Sequence, residues 1–153
     1  MAVIEAGQPA PAFSLGREHG RFTRADLDGR RTLLVFYPFA FSSVCTEQLS
    51  LYDDLRSDFA EHGVTLYGVS CDAPASQRAF KEQLGVDIEQ LSDFEPKGEA
   101  CRAFGVLHPG GFPQRALVLI GSDGMVEWSH EAASPGDLPG ANLIFDALEA
   151  QPV

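Results

Sequence analysis

Basic residues are scarce in this chain. Its 153 residues hold 11 Lys and Arg against 22 Asp and Glu, a formal net charge of −11. So acidic a surface repels phosphate backbones and anionic lipid headgroups, so neither nucleic acid nor a membrane surface is an expected partner. Long apolar runs are missing too. None approaches the ~20 residues that a membrane span requires. The first residues, "MAVIEAGQPAPAF", lack the basic segment and apolar core of a secretory signal. Cysteine is rare: three residues, an odd number with no visible framework, point to a reducing compartment, and the cytoplasm is the expected location. The histidines, His19, His62, His108 and His130, are far apart and show no metal-ligand spacing. No phosphate-binding Gly-x-x-x-x-Gly-Lys loop and no dinucleotide fingerprint occurs, so no metal and no organic cofactor is expected.

What is present describes a folded enzyme-sized unit. Hydrophobic residues make up 44 % and charged residues 22 %, which favours a packed core over disorder. The length suits one domain, expected to span 1–153. "TLLVFYPF" is apolar on both faces, as in a strand covered on two sides. Cys45, Leu49, Tyr52, Leu55 and Phe59 then recur at steps of three and four, which predicts a helix closed by His62-Gly63. "VTLYGVSC" reads as a second strand. "DAPASQRAFKEQLG" reads as a helix with Pro74 in its first turn and Gly85 past its end. After a short extended "IEQLSDF" and a helical turn or two in "GEACRAFGV", "RALVLIGSDGMVEWS" predicts a β-hairpin around Gly121–Gly124. The amphipathic "GANLIFDALEA" predicts a last helix. The order predicts an α/β fold with a mixed central sheet flanked by helices.

The stretch "YPFAFSSVCTEQ" places Cys45 just past a strand end and in the first turn of a helix. Ligands bind beyond the carboxyl ends of strands in open α/β sheets. Unpaired N–H groups and the positive end of the helix dipole there stabilise a thiolate and an anionic oxygen. Ser42, three residues before Cys45, shares its face and offers a hydroxyl that both donates and accepts, or else serves as a helix cap. Pro38 offers no N–H and a rigid wall over the sulfur, with Phe39 and Phe41 beside it. On spacing alone Cys45 is equally a buried helix cysteine.

The pattern Pro38, three residues, Ser42, two residues, Cys45 resembles the peroxiredoxin signature. "GQPAPAFSL", "GVSCDAPASQRAFKEQLGVDIEQLSDF", "GEACRAFGVL" and "FPQRALVLIGSDGMV" resemble further landmarks of that family, in the branch of bacterioferritin comigratory protein and alkyl hydroperoxide reductase E. The resemblance implies a thioredoxin fold with N-terminal additions. It implies that Cys45 attacks a peroxide oxygen, that Ser42 holds the peroxide, that Pro38 shields the sulfur and that Arg115 faces the site. An always-cationic planar guanidinium can stabilise both a thiolate and the leaving oxygen; without the resemblance Arg115 reads as an ordinary ion-pairing residue. The expected activity is reduction of hydrogen peroxide and organic hydroperoxides through a sulfenic acid. The alternative is a thioredoxin-fold redox sensor or binding module without fast turnover. Homodimers or higher homo-oligomers are also implied.

Three departures from that pattern carry consequences. Ser42 replaces threonine. Gln48 stands where glutamate is common, and reads as a helix-surface residue. Ser50 occupies the position where many relatives place a resolving cysteine, five residues after the first. Cys71, at the end of the second predicted strand, and Cys101, a packed helical residue by its context, are the remaining candidates for that role. The expectation is a one-cysteine enzyme reduced by an external thiol or by a thioredoxin- or glutaredoxin-like protein.

Overall fold

A computed structural model describes residues 2–134 and 136–150, so the expected span of 1–153 runs past the described residues at both ends. The strongest apolar segment forms β3 (Arg31–Phe36), every residue of which is buried. It occupies the middle of a seven-stranded sheet because it can be covered on both faces. β4 (Val64–Ser70) and β5 (Glu89–Ser92) run parallel to β3 on one side. The hairpin β6 (Ala116–Ile120) and β7 (Val126–Glu131) lies antiparallel on the other. A short hairpin, β1 (Ser14–Gly16) and β2 (Arg21–Thr23), completes the order β2-β1-β5-β4-β3-β6-β7. β1 and β2 are three residues each, too short to show an alternation.

Alternation along β3 sorts the core into two layers. Leu33 and Val35 pack with α1 (Ser43–Asp54), α2 (Arg56–Glu61), α3 (Pro74–Leu84) and α5 (Ala141–Ala150), through Leu49, Phe59, Phe80 and Ile144 among others. Leu34 and Phe36 pack with β1, β2 and α4 (Glu99–Ala103), through Leu15, Phe22 and Cys101. Each such apolar side chain contributes about 1.5–3 kcal/mol when fully buried.

The predicted helices have the expected ends: Pro74 opens α3, and Gly85, at φ 68°, closes it in the left-handed region that glycine adopts freely. One helix differs. The stripe from Cys45 to Phe59 is divided at Leu55 (φ −100°, ψ 8°), where the Leu55 N–H turns back to Tyr52 O at 3.2 Å. The apolar face survives the division, since Leu49, Tyr52 and Phe59 all remain fully buried. Among the described residues no helix is long and apolar enough to cross a membrane.

Candidate active site

Strand register brings the site together. Phe36, last in β3, pairs with Ala116, first in β6. The next positions outward are Tyr37 and Arg115, so the loop after β3 and the Arg115 side chain reach the same sheet edge. Pro38 is buried in that loop. The Ala40 N–H donates to Asp72 Oδ2 at 2.8 Å, and that oxygen also accepts from Ser70 Oγ at 2.8 Å. Asp72 lies two residues past the end of β4, so the parallel neighbour strand anchors the loop. Phe41 has φ 69°, a left-handed conformation that costs a non-glycine residue about 1–2 kcal/mol. Its ring packs on Phe80 at 5.1 Å between centroids, which helps to hold the turn.

Ser42 then takes the N-cap position of α1, but its hydroxyl makes no capping hydrogen bond. The first rung of the helix is Thr46 N–H to Ser42 O at 3.0 Å. Cys45 is the third helical residue, within the turn whose N–H groups have no partner in the helix itself. Its sulfur is fully covered, at 0 % exposure. Arg115, 2 % exposed, donates from Nη2 to Cys45 Sγ at 3.1 Å and from Nη1 to Gln48 Oε1 at 2.5 Å. Gln48 Nε2 donates to Tyr52 Oη at 3.4 Å, and Tyr52 Oη donates to Pro139 O at 2.6 Å. Burial pushes the Tyr52 phenol up, which keeps its proton in place for that bond. The planar guanidinium thus bridges the sulfur and an amide whose own orientation is set by a tyrosine. A buried cation at this distance stabilises negative charge on sulfur and on any oxygen held beside it.

Cys45 and Arg115 therefore meet as expected, with Ser42 one turn ahead and Pro38 in the preceding loop. Gln48 corrects its expectation: it is a fully buried acceptor for Arg115 and not a surface residue. The signal was present, since Cys45, Gln48 and Tyr52 stand at steps of three and four and share one face of α1. Phe39 and Phe41 are 48 % and 50 % exposed, so they form a rim over the loop. Phe39 packs on Phe112 at 4.8 Å, and His108 stacks on Phe112 at 4.3 Å. A cavity of about 460 Å³ opens elsewhere, between Arg17, Gln77, Arg78, Lys81 and Glu89, and none of Pro38, Ser42, Cys45 or Arg115 lines it. Cys71 and Cys101 pack in the opposite core layer from Cys45. All three cysteines are free.

The AhpC/TSA family profile matches residues 6–129. The chain belongs to the AhpC/TSA family. It is a peroxiredoxin, a thiol-dependent peroxidase with a thioredoxin fold. It is 27 % identical over 151 residues to alkyl hydroperoxide reductase E of Mycobacterium tuberculosis, covering 97 % of this chain and 98 % of that relative. It is 31 % identical over 135 residues to the putative peroxiredoxin ycf42 of Porphyra purpurea, covering 82 % and 68 %. Among solved structures it superposes on peroxidoxin BcpB of Mycobacterium tuberculosis with a TM-score of 0.84 at 25 % identity, covering 98 % and 99 % of the two chains. AhpC of Enterococcus faecalis gives a TM-score of 0.86 at 26 % identity, covering 98 % and 92 %.

Proposed function

We propose that this peroxiredoxin reduces hydrogen peroxide and organic hydroperoxides with Cys45 as its nucleophile, by a one-cysteine route. The Cys45 thiolate attacks one peroxide oxygen; the S–O bond forms as the O–O bond breaks, and the departing oxygen leaves with a proton as water or an alcohol. Arg115 stabilises the charge before and during this step, Ser42 holds the peroxide through its uncommitted hydroxyl, and Pro38 excludes water from the sulfur. An external thiol then attacks the sulfenic sulfur, water leaves, and a second thiol releases Cys45 from the mixed disulfide.

The observation that carries the reading is the 3.1 Å contact between buried Arg115 Nη2 and buried Cys45 Sγ. Support for the one-cysteine route comes from Ser50 and from the packing of Cys71 and Cys101 in the other core layer. Because the sulfur is fully covered, a peroxide reaches it by displacing part of the Pro38–Ser42 loop. The exposed Phe39 and Phe41 at that loop favour association with a second copy and acceptance of apolar hydroperoxides.

The test is thiol-coupled peroxide consumption. Cys45→Ser lowers its rate at least to that of free cysteine, whereas the intact protein oxidises far faster. Turnover in that variant near the parent rate, or an intact-protein rate equal to that of free cysteine, refutes the proposal; the second result is the signature of a sensor.

A further inference from the structure

The strand register that builds the peroxidase site builds a second thiol cluster on the other face of the sheet. β4 and β5 pair in parallel with Ser70 opposite Ser92, and the Asp93 N–H continues the ladder to Ser70 O at 2.8 Å. The next residues, Cys71 and Asp93, are therefore neighbours. The Asp93 carboxylate accepts the N–H groups of Ala100 at 3.1 Å and Cys101 at 2.8 Å, which draws the start of α4 onto the same spot. Cys71 Sγ, Cys101 Sγ and an Asp93 oxygen all lie within 4.8 Å of one another. Cys101 and Asp93 are 0 % and 2 % exposed, while Cys71 keeps 8 %.

We propose that Cys71 and Cys101 are a second redox centre, a dithiol that a hydroperoxide converts to an intramolecular disulfide independently of Cys45. The two thiols differ as the reaction requires. The neighbouring Cys101 thiol draws the Cys71 thiol down, whereas Cys71 and burial push Cys101 up. Cys71, the less covered sulfur, is the attacking thiolate. Its sulfur takes one oxygen of the hydroperoxide, the O–O bond breaks, and the remainder leaves with a proton as water or an alcohol. Cys101 Sγ then attacks the Cys71 sulfur; the S–S bond forms, the S–O bond breaks, and the departing hydroxide takes the Cys101 proton, passed through Asp93, as water. Two thiols lose two electrons and one hydroperoxide gains them.

The test uses the full chain carrying Cys45→Ser, in which only these two thiols remain. It is treated with excess hydrogen peroxide, quenched with iodoacetamide under denaturing conditions and mapped by mass spectrometry. The expected result is loss of two hydrogen atoms and a single Cys71–Cys101 cross-linked peptide, reversed by dithiothreitol. Two alkylated cysteines after that treatment, or sulfinic acid on Cys71 with Cys101 still free, overturn the proposal. So does protection of both thiols by one stoichiometric zinc ion, which would make the cluster a metal site. Cys71→Ser in the otherwise intact chain loses the cross-link but keeps peroxide turnover at Cys45. Loss of turnover there, together with near-parent turnover in Cys45→Ser, would instead count against the proposed catalytic role of Cys45.

Discussion

Replacing Arg115 by alanine tests the electrostatic core of the proposed site. The Nη2–Sγ separation is 3.1 Å. At an effective dielectric of ~20 that distance corresponds to about 5 kcal/mol of attraction for a full thiolate, part of which is regained when water solvates the sulfur in the vacated space. The remainder is consistent with the 10²–10³-fold rate loss typical of removing one preorganised donor, roughly 2.7–4 kcal/mol. Arg115→Ala is accordingly expected to slow Cys45 oxidation by ~10²–10³-fold. Arg115→Lys keeps the charge but cannot span Cys45 Sγ and Gln48 Oε1 with one planar fork. Losing one charge-assisted bond of about 1.5–3 kcal/mol predicts a ~10–100-fold decrease. The assay is competition with a haem peroxidase for limiting hydrogen peroxide, which gives the second-order rate constant directly. Circular dichroism and urea denaturation establish that each variant is folded. A folded Arg115→Ala protein that oxidises within a few-fold of the parent rate would refute the reasoning.

Ser42→Ala separates activity from stability: its hydroxyl makes no cap bond, so urea denaturation should shift by no more than about 0.5 kcal/mol. The lost peroxide contact, about 0.5–1.5 kcal/mol, should lower kcat/KM by up to ~10-fold. Gln48→Leu fills a similar volume but removes the acceptor for Arg115 Nη1 and the donor to Tyr52 Oη. It should destabilise the fold by about 1–3 kcal/mol in urea, and lower the peroxide rate less than Arg115→Ala does.

How much of this was legible depended on how locally each signal is encoded. β3, α3 and the β6–β7 hairpin declare themselves through unbroken apolar runs, Pro74, Gly85 and the Gly121–Gly124 turn, all within a few residues. Cys45 and Ser42 were legible for the same reason, since both belong to one helix start. Arg115 was not, except by resemblance: it lies 70 positions from Cys45, and only the pairing of Phe36 with Ala116 joins them. Gln48 was misread because glutamine is polar, although its spacing from Cys45 and Tyr52 placed it on the buried face. The division of the long helix at Leu55 left no mark, because Phe59 stays on the same side of the chain either way.

The two fully covered thiols, Cys45 and Cys101, show why cysteine chemistry escapes a reading by burial or by position alone. Both are 0 % exposed and both are the third residue of a helix. The Cys45 sulfur accepts a hydrogen bond from a guanidinium, whereas Cys101 lies beside another thiol and a carboxylate, which hold its proton in place. Burial enlarges whichever charge effect the nearest neighbour exerts, because little water is present to screen it. In the two proposed reactions the same covering therefore sets one sulfur beside a cation and makes the other a proton-bearing partner that waits for a second sulfur to be oxidised first. What separates them is the sign of the neighbouring charge, and strand register supplies that neighbour in both cases: β3 against β6 for Arg115, β4 against β5 for Asp93.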